Sequence, residues 1–369
     1  MITMPLNKWI PNFRSPLVIA GPCSAESEEQ VLATAHDIAK LEGVKVFRAG
    51  VWKPRTRPGT FEGVGEKALP WLAKVKEQYG MLTSVEVATP KHVEDSLKHG
   101  IDIMWIGART TVNPFAVSEL AEALRGTGVP VMVKNPINAD LGLWIGALER
   151  MSRMGISKLA AIHRGFSIHE KSQYRNAPIW KIPIELKSRY PELPVICDAS
   201  HISGRRDLIE KVSQKAMDLD MEGLMIETHI DPSVALSDAA QQVTPKVLGE
   251  ILANLDYKVP YSTDSGFENE LESLRARIDR TDHELLELLH GRMKIVEKIA
   301  DAKIKSNITA FQVTRMKEMM DERVNVGEKF GLSKEYVMEL LRVIHEYSVK
   351  RQTDLMDRAH VEKSEGKEK

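Results

Sequence analysis

The sequence has few cysteines, almost no net charge and no long apolar stretch. Two cysteines among 369 residues are too few for a disulfide framework, which favours a reducing compartment such as the cytoplasm. The formal net charge of −1 provides no basic field for nucleic acid. No run reaches the ~20 apolar residues that span a bilayer, and the first residues lack the apolar core of a signal peptide. The composition, 43% hydrophobic, therefore predicts a cytoplasmic enzyme with a large core and no membrane or nucleic-acid partner.

Short β-branched apolar runs recur along the first two thirds of the chain, each followed by a segment with helical periodicity. The eight runs cover residues 18–21, 44–49, 82–86, 101–108, 131–135, 159–165, 195–200 and 224–228. The helical segments include 27–41, 62–78, 116–124 and 206–219. Eight alternations of strand and helix predict an α/β fold, a (β/α)8 TIM barrel of about 250 residues. An open doubly wound sheet is the alternative that this pattern leaves.

The pattern changes near residue 257, where the strand signals end. A polar stretch with Pro, Gly and Ser predicts a linker over 257–267, between a barrel of residues 1–256 and an all-α domain of residues 268–358. Three helices are expected there, over 268–305, 312–329 and 333–358, followed by a disordered tail, 359–369. The first helix would be about 57 Å long, with apolar residues at spacings near 3.5. Two shorter helices cannot cover it, so we expect a partner chain, in a homodimer or a higher homo-oligomer.

Four residues of metal-binding type follow separate predicted strands: Cys23, His201, Glu227 and Asp238. A thiolate, an imidazole and two carboxylates together favour a divalent transition metal, Mn, Fe, Co or Zn, over calcium. Polar side chains at the ends of parallel barrel strands meet at one mouth, so the four predict a single metal site. Spacing alone leaves open that Cys23 is a core residue, and Cys197, inside the seventh run, is assigned to the core.

A set of basic side chains also lies at or just beyond the ends of predicted strands: Arg48, Lys53, Arg55, Arg109, Lys134 and Arg164. Surface Lys and Arg are usually solvated, but these follow apolar strand interiors in a chain with almost no net charge. A focused cluster of fixed cations requires anions, and the planar guanidinium suits phosphate and carboxylate. The barrel mouth is therefore expected to bind two phosphorylated substrates, or one substrate with several anionic groups.

Eight short motifs at these positions occur in one order along the chain: AGPCS, FRAGVWKPRT, IGART, VKNP, HRG, DASH, MIETH and SDAAQQVTP. In this order they resemble the 3-deoxy-D-arabino-heptulosonate 7-phosphate (DAHP) synthases over residues 10–255, and the shorter Iβ-type branch in particular. The resemblance implies condensation of phosphoenolpyruvate with erythrose 4-phosphate. Enzymes of a sister reaction on arabinose 5-phosphate share the barrel but lack the Lys-Pro-Arg-Thr run found here at 53–56. The resemblance therefore implies the four-carbon sugar.

The same resemblance implies a role for each candidate residue. Cys23, His201, Glu227 and Asp238 would be the metal ligands. Phosphoenolpyruvate would be held by Arg48, Lys53, Arg109, Lys134 and Arg164, and the phosphate of erythrose 4-phosphate by Arg55 and Thr56. Lys53 would deliver a proton to the developing alkoxide. Glu86 would orient the attacking water, with a structural role equally open.

A Schiff-base aldolase is a chemical alternative for the barrel. That mechanism needs a lysine in an apolar pocket, because burial lowers the pKa of the amine. Lys53 and Lys134 are instead expected to sit among the arginines of the predicted mouth. The cation cluster therefore favours the condensation over the Schiff base.

Residues 271–352 resemble the all-helical chorismate mutases, which are intertwined dimers that need no cofactor. That family's binding positions fall on Arg275, Arg292, Lys303, Arg315 and Gln352, with Lys303 and Gln352 as the catalytic donors to the ether oxygen. Arg292 and Lys303 share a helix face about 16 Å apart, a spacing more often explained by cations whose heads reach water. Arg275 lies about 42 Å from Lys303 along one helix, so the resemblance assigns it to the partner's site.

Two positions depart from the mutase pattern. Gln312 and Met316 stand where that family often has acidic residues, and a thioether is a poor partner for a substrate hydroxyl. These departures bear on the mutase rate rather than on the fold. The alternative interpretation makes the helical domain a dimerisation and prephenate-sensing module that regulates the barrel. The leading interpretation is a bifunctional shikimate-pathway enzyme acting on phosphoenolpyruvate, erythrose 4-phosphate and chorismate, with prephenate as a feedback inhibitor.

Overall fold

The computed structural model describes residues 1–54, 59–169, 171–259 and 261–365. The chain divides into two compact units, Met1–Pro260 and Tyr261–Lys369. This division falls inside the linker predicted over 257–267. All eight predicted strands therefore belong to the first unit, and the helical region forms the second.

Eight parallel strands pair in chain order and close on themselves as a barrel. The strands are β1 Leu17–Gly21, β2 Val44–Arg48, β3 Leu82–Val87, β4 Ile103–Ile106, β5 Val131–Lys134, β6 Leu159–His163, β7 Val195–Asp198 and β8 Gly223–Glu227. Closure is made by β1 and β8, whose register runs from Leu17 opposite Gly223 to Gly21 opposite Glu227. The predicted (β/α)8 barrel is confirmed. The open sheet is wrong, because it would leave β1 and β8 as unpaired edges.

Helices follow the strands of the first unit along the chain. They are α1 Glu28–Ile38, α2 Leu69–Tyr79, α3 Pro90–Lys98, α4 Ala108–Thr111, α5 Pro114–Leu124, α6 Leu141–Arg153, α7 Lys181–Arg189, α8 Ala199–Ser203, α9 Ile209–Asp218 and α10 Pro245–Asn254. Helix α2 begins later than residue 62, because Gly63 and Gly65 adopt positive φ and Pro70 lies in its first turn. The short helices α4 and α8 directly follow β4 and β7, and they carry Arg109 and His201.

The strands send alternate side chains to two apolar clusters. Ile19 of β1 belongs to the cluster that fills the barrel, whereas Val18 and Ala20 belong to the cluster shared with the helices. Leu6 and Trp9, from the N-terminal segment, join the cluster that fills the barrel. Because these side chains fill the barrel, its interior is a packed core and not a channel. Fully burying an aliphatic side chain stabilises a fold by about 1.5–3 kcal/mol. Chemistry is left to the carboxyl ends of the strands.

The second unit consists of α11 Ser265–Lys305, α12 Val313–Lys329 and α13 Lys334–Glu365. Helix α11 begins three residues before the predicted start, because the Asp264 carboxylate accepts hydrogen bonds from the N–H groups of Gly266 and Phe267. The disordered tail predicted from residue 359 is corrected as far as Glu365. The segment after 358 contains no proline or glycine before Gly366, so nothing in it ends the helix.

Helix α11 buries little of its apolar surface within one chain. Val296 and Ala300 are its buried residues among those described, while Ile278, Leu288 and Ile295 are each more than half exposed. Within the described part of the chain, each helix is too short or too polar to cross a membrane.

Candidate active sites

The carboxyl ends of the barrel strands carry the polar residues of the first site. Cys23 lies just beyond β1, Arg48 ends β2, Lys134 ends β5, Asp198 ends β7 and Glu227 ends β8. All five are buried, each with at most 4% of its surface exposed. Buried charges are costly unless they are paired or bind a ligand, so their concentration at one mouth marks a functional site.

Three of the four predicted metal ligands form one cluster. The ligand atoms of Cys23, Glu227 and Asp238 lie within 4.8 Å of one another. The Cys23 thiol donates to a carboxylate oxygen of Asp238 at 3.4 Å. Burial, reinforced by the charge of Glu227, raises the pKa of Cys23 to about 12, so a thiolate at this position requires a bound cation. The cluster therefore has the donor chemistry of a divalent metal site.

His201, the fourth predicted ligand, lies beside the three-residue cluster. Its Nε2 is 3.8 Å from Oε1 of Glu227, and its Nδ1 is hydrogen-bonded to the Asp198 carboxylate at 3.0 Å. Burial lowers the pKa of His201, which favours the neutral imidazole that metals bind. A carboxylate on one ring nitrogen orients the other nitrogen towards a metal. His201 therefore fits the fourth ligand position.

Two residues that the sequence analysis missed hold the carboxylate ligands in place. Gln241 donates to Oε2 of Glu227 at 2.6 Å, and Arg175 donates to Gln241 at 2.6 Å. Arg175 also pairs with Asp238 at 3.1 Å. Asp238 has a φ of +48°, a left-handed conformation that aspartate adopts more readily than most residues. Gln241 lies in the SDAAQQVTP motif, which was the available signal, whereas Arg175 lies in a long loop without one.

The predicted anion-binding residues include two deeply buried cations. Arg48 is 1% exposed and Lys134 is 4% exposed, and both lie over the Trp105 ring, at 5.0 and 5.7 Å from its centre. Arg48 pairs with Glu227 at 3.2 Å. Its Nε and Nη1 are buried and form no hydrogen bond with any residue that the structure describes. Buried N–H groups without partners cost about 1–3 kcal/mol each, so these two are candidate donors to an anionic ligand.

Asp198 links the cations to the metal ligands, and the sequence analysis assigned it no role. Its carboxylate pairs with Lys134 at 2.7 Å and with Nδ1 of His201 at 2.9 Å. Burial opposes ionisation, but His201 and Lys134 hold the pKa of Asp198 well below its usual range. The ionised Asp198 carboxylate therefore orients Lys134 of the cation set and His201 of the metal-ligand set.

The remaining predicted residues of the mouth lie around this centre. Burial lowers the pKa of Arg164 to about 10, with the charges of Arg175 and Arg109 adding to the effect. Lys53 donates to the Cys23 sulfur at 3.0 Å, which places its ammonium group beside the metal-ligand cluster. Glu86 accepts a hydrogen bond from the Trp105 indole at 3.1 Å, as a structural role requires. Arg55 and Thr56 lie outside the described residues.

The second site lies between α11 and α13. Arg292 donates to the Ser348 hydroxyl at 2.6 Å, and the Gln352 amide donates to the Ser348 carbonyl at 3.2 Å. Lys303 donates to the Ala310 carbonyl at 2.7 Å. The sequence analysis did not include Ser348, which lies four residues before Gln352 and so on the same helix face.

Arg275 and Arg315 are two further predicted residues of this site. In the ion pairs of the described chain, each is paired only with an acidic residue of its own helix. Arg275 lies 4.0 Å from Glu272, and its side chain is 60% exposed. Arg315 lies 3.6 Å from Glu318, and its side chain is 70% exposed. Gln312 caps α12 without a side-chain hydrogen bond, and Met316 lies in the first turn of that helix. Within one chain, Arg292 and Gln352 therefore meet at Ser348, while Arg275 remains on the surface.

A family model described as the DAHP synthetase I family matches residues 12–259, most of the chain. The chain belongs to the DAHP synthetase I family. A second model, chorismate mutase type II, matches residues 274–353. The DAHP synthase barrel is thus followed by a chorismate mutase domain, and the chain combines these two reactions of aromatic biosynthesis.

Individual relatives agree with this membership. The phospho-2-dehydro-3-deoxyheptonate aldolase of Thermotoga maritima is 33% identical over 238 residues, 64% of this chain and 68% of the relative. The 2-dehydro-3-deoxyphosphooctonate aldolase of Desulfotalea psychrophila is 28% identical over 261 residues, 65% of this chain and 88% of the relative. Both relatives match about the length of the barrel.

Solved structures of DAHP synthases share the fold. The crystal structure of the Thermotoga maritima enzyme has a TM-score of 0.59 and 32% identity, and the match covers 64% of this chain and 67% of that one. A truncated form of DAHP synthase from Thermotoga maritima has a TM-score of 0.56 and 30% identity, with 64% of this chain and 84% of that one covered.

Proposed function

We propose that the barrel mouth performs the DAHP synthase reaction with the residues predicted from the motifs. The observation that carries this proposal is Arg48, a cation 1% exposed whose Nε and Nη1 have no hydrogen-bond partner among the described residues. Together with Lys53, Arg109, Lys134 and Arg164 it would hold the phosphate and carboxylate of phosphoenolpyruvate. An anionic ligand beside Arg48 would satisfy its Nε–H and Nη1–H groups, which find no hydrogen-bond partner among the described residues.

In the proposed DAHP synthase reaction these groups act as follows. C3 of phosphoenolpyruvate attacks the aldehyde carbon of erythrose 4-phosphate, and Lys53 delivers a proton to the developing alkoxide. Water then adds at C2, and phosphate leaves by cleavage of its C–O bond. Glu86, near the end of β3, orients that water. A divalent ion held by Cys23, His201, Glu227 and Asp238 supplies polarisation of the aldehyde when it is bound.

We assign the metal to Mn, Fe, Co or Zn, because one sulfur and one nitrogen donor accompany two carboxylates. The test is to assay the purified chain with phosphoenolpyruvate and erythrose 4-phosphate before chelation, after chelation and after addition of each metal. Loss and recovery of phosphate release support the assignment, whereas full activity after exhaustive chelation contradicts it. Mutase turnover, which needs no cofactor, serves as the control for protein integrity.

The sugar substrate is assigned to erythrose 4-phosphate through Arg55 and Thr56, which would bind its phosphate. A site whose polar groups are left unpaired by the wrong sugar discriminates strongly. We expect kcat/KM for erythrose 4-phosphate to exceed that for arabinose 5-phosphate by about 10²-fold. Arg55→Ala should reduce this ratio mainly through KM for the sugar phosphate. Equal efficiencies for the two sugars in the unmodified chain would refute the assignment.

For the helical unit we propose catalysis of the chorismate rearrangement by Lys303 and Gln352, which donate to the ether oxygen as its bond breaks. Arg292 and Arg315 would bind the carboxylates, and Arg275 would enter the site of a second copy. The exposed apolar side chains of α11 support this dimer. Lys303→Ala and Gln352→Ala should each abolish most mutase turnover while DAHP synthesis continues. Unchanged turnover in either variant would remove that residue from the catalytic role, and absence of chorismate turnover by the unmodified chain would leave the helical unit as a dimerisation module.

We further propose that prephenate bound at Arg292 and Lys303 inhibits the barrel, and that both reactions take place in the cytoplasm. The two cysteines, both free and buried, suit a reducing compartment. Coupling between sites is typically about 1–3 kcal/mol, which corresponds to inhibition of about 5- to 150-fold. Titration of prephenate into the synthase assay should inhibit the intact chain and should not inhibit the Arg292→Ala variant. Equal inhibition of both proteins would locate the effector elsewhere.

A further inference from the structure

His345, a histidine that the mutase assignment does not use, lies on the face of α13 that carries Ser348 and Gln352. His345 precedes Ser348 by three residues and Gln352 by seven, so at about 100° per residue the three side chains share one helix face. Its Nε2 is buried and has no hydrogen-bond partner among the residues that the structure describes. The ring lies 6.0 Å from that of Phe311, in the segment between α11 and α12.

Cations face this histidine from both neighbouring helices. Burial lowers the pKa of His345, and the charges of Arg292, Arg323 and Lys303 lower it further. Arg292 and Lys303 belong to α11, and Arg323 belongs to α12. Glu297 of α11 is already engaged by Arg351, which donates to it at 2.8 Å through Nε. The group that faces His345 is therefore a set of positive charges.

We propose that His345 is a further ligand-binding residue of the mutase site, and that its Nε2–H donates a hydrogen bond to an oxygen of the bound dicarboxylate. This inference rests on the mutase site proposed above and deepens it. Gln312 and Met316 carry no carboxylate, so α12 offers no anion at those positions to pair with a protonated His345 in place of the ligand.

Occupancy of the site reverses the electrostatic environment of the ring. A dicarboxylate neutralises Arg292 and Lys303, so it removes part of the charge repulsion that disfavours the imidazolium in the free protein. The ligand-bound pKa therefore exceeds the ligand-free pKa, and binding takes up a proton. Affinity is highest at low pH and falls as the pH rises through the ligand-bound pKa of His345.

The test is calorimetric titration of prephenate into the full-length protein at pH 6.5 and pH 8.0, in two buffers of different ionisation enthalpy. The wild-type chain should take up a substantial fraction of a proton at pH 6.5, and its Kd should weaken by about fivefold at pH 8.0. His345→Gln, which retains a hydrogen-bonding side chain but does not titrate, should lose the proton uptake and the pH dependence. His283→Gln, an exposed histidine of α11 paired with Glu287, is the matched control and should keep both.

The possible results are distinct. Prephenate binding without proton uptake at either pH overturns the role of His345, and so does equal uptake by the wild type and His345→Gln. Absence of prephenate binding to the wild-type chain would overturn the mutase site as well. DAHP synthase activity and the helical circular dichroism of His345→Gln report its folding. Should that variant fail to fold, the ring titration of His345 in the wild type, followed by NMR with and without prephenate, decides the same question.

Discussion

The barrel unit and the helical unit place their functional cations in opposite environments. Arg48 and Lys134 at the barrel mouth are 1% and 4% exposed, whereas the side chains of Arg275 and Arg315 on the helices are 60% and 70% exposed. The closed sheet surrounds the ends of its own strands. The three helices, by contrast, leave much of the apolar surface of α11 exposed within one chain. The described residues of the barrel site thus come from one chain, whereas the proposed helical site would gain its enclosure from a second copy.

The largest expected effect tests whether the barrel site depends on its buried metal ligands while the helical site does not. Cys23→Ala removes one of the three clustered ligand atoms, so the synthase kcat/KM should fall by about 10³-fold as metal binding is lost. Mutase turnover should be unchanged. Both are measured on the same preparation, with bound metal determined by elemental analysis.

Cys197→Ala is the matched control for that variant. Cys197 is equally buried but belongs to the apolar cluster between strands and helices, as predicted. It should lose some stability and retain its metal and synthase activity. Full activity and full metal content in Cys23→Ala would remove the proposed ligand.

The next effect tests whether the helical site depends on a second copy. Leu288 is 73% exposed in one chain, so Leu288→Asp should be tolerated by the monomer but would bury a carboxylate in a dimer. We expect dissociation in sedimentation experiments and a fall of about 10²-fold in mutase activity, with DAHP synthesis retained. Ile184→Asp, at an apolar residue of α7 that is 46% exposed, is the control. A dimeric, fully active Leu288→Asp protein would contradict the proposed interface.

The smallest effect concerns stability and sharpens the contrast in burial. His163 of β6 is fully buried among the rings of Trp144, Phe166 and Trp180, and burial lowers its pKa to about 3. The unfolded chain binds a proton near pH 6.5 and the folded barrel does not, so stability is lost as the pH falls from 6.5 towards 3. The loss should reach about 2 kcal/mol at pH 5, equivalent to about 30-fold in the unfolding equilibrium.

His163→Phe removes the titrating group, so its barrel should lose about 2 kcal/mol less than the wild type between pH 7 and pH 5. Urea unfolding of the barrel transition at the two pH values provides the measurement. The exposed His283 supplies the comparison, since its replacement by Gln should leave the pH dependence unaltered. An identical loss in His163→Phe and the wild type would assign the acid sensitivity to other groups.

The local sequence pattern was sufficient to predict the strands and helices but not where each of them ends. Each predicted strand overlaps an observed one, but α13 continues to Glu365 because exposed charge does not end a helix in the absence of proline or glycine. Among the site residues, Cys23 and Arg48 could be predicted because each follows or ends an apolar strand within a recognisable motif. Arg175 could not, since it lies in a long loop and reaches Asp238 only after the barrel has closed.

By itself the sequence determined the number and order of the strands, the change to helices near residue 257 and the residue types available at the mouth. These properties depend on neighbours a few positions apart, which side-chain periodicity records. Only the tertiary structure decided that Asp198 joins Lys134 across 64 residues, or that Cys23 meets Asp238 across 215. Such contacts arise from closure of the sheet, which brings strand ends together whatever their separation along the chain. For the same reason, the described residues of the barrel site meet within one chain, whereas the proposed helical site would need a second copy beside α11.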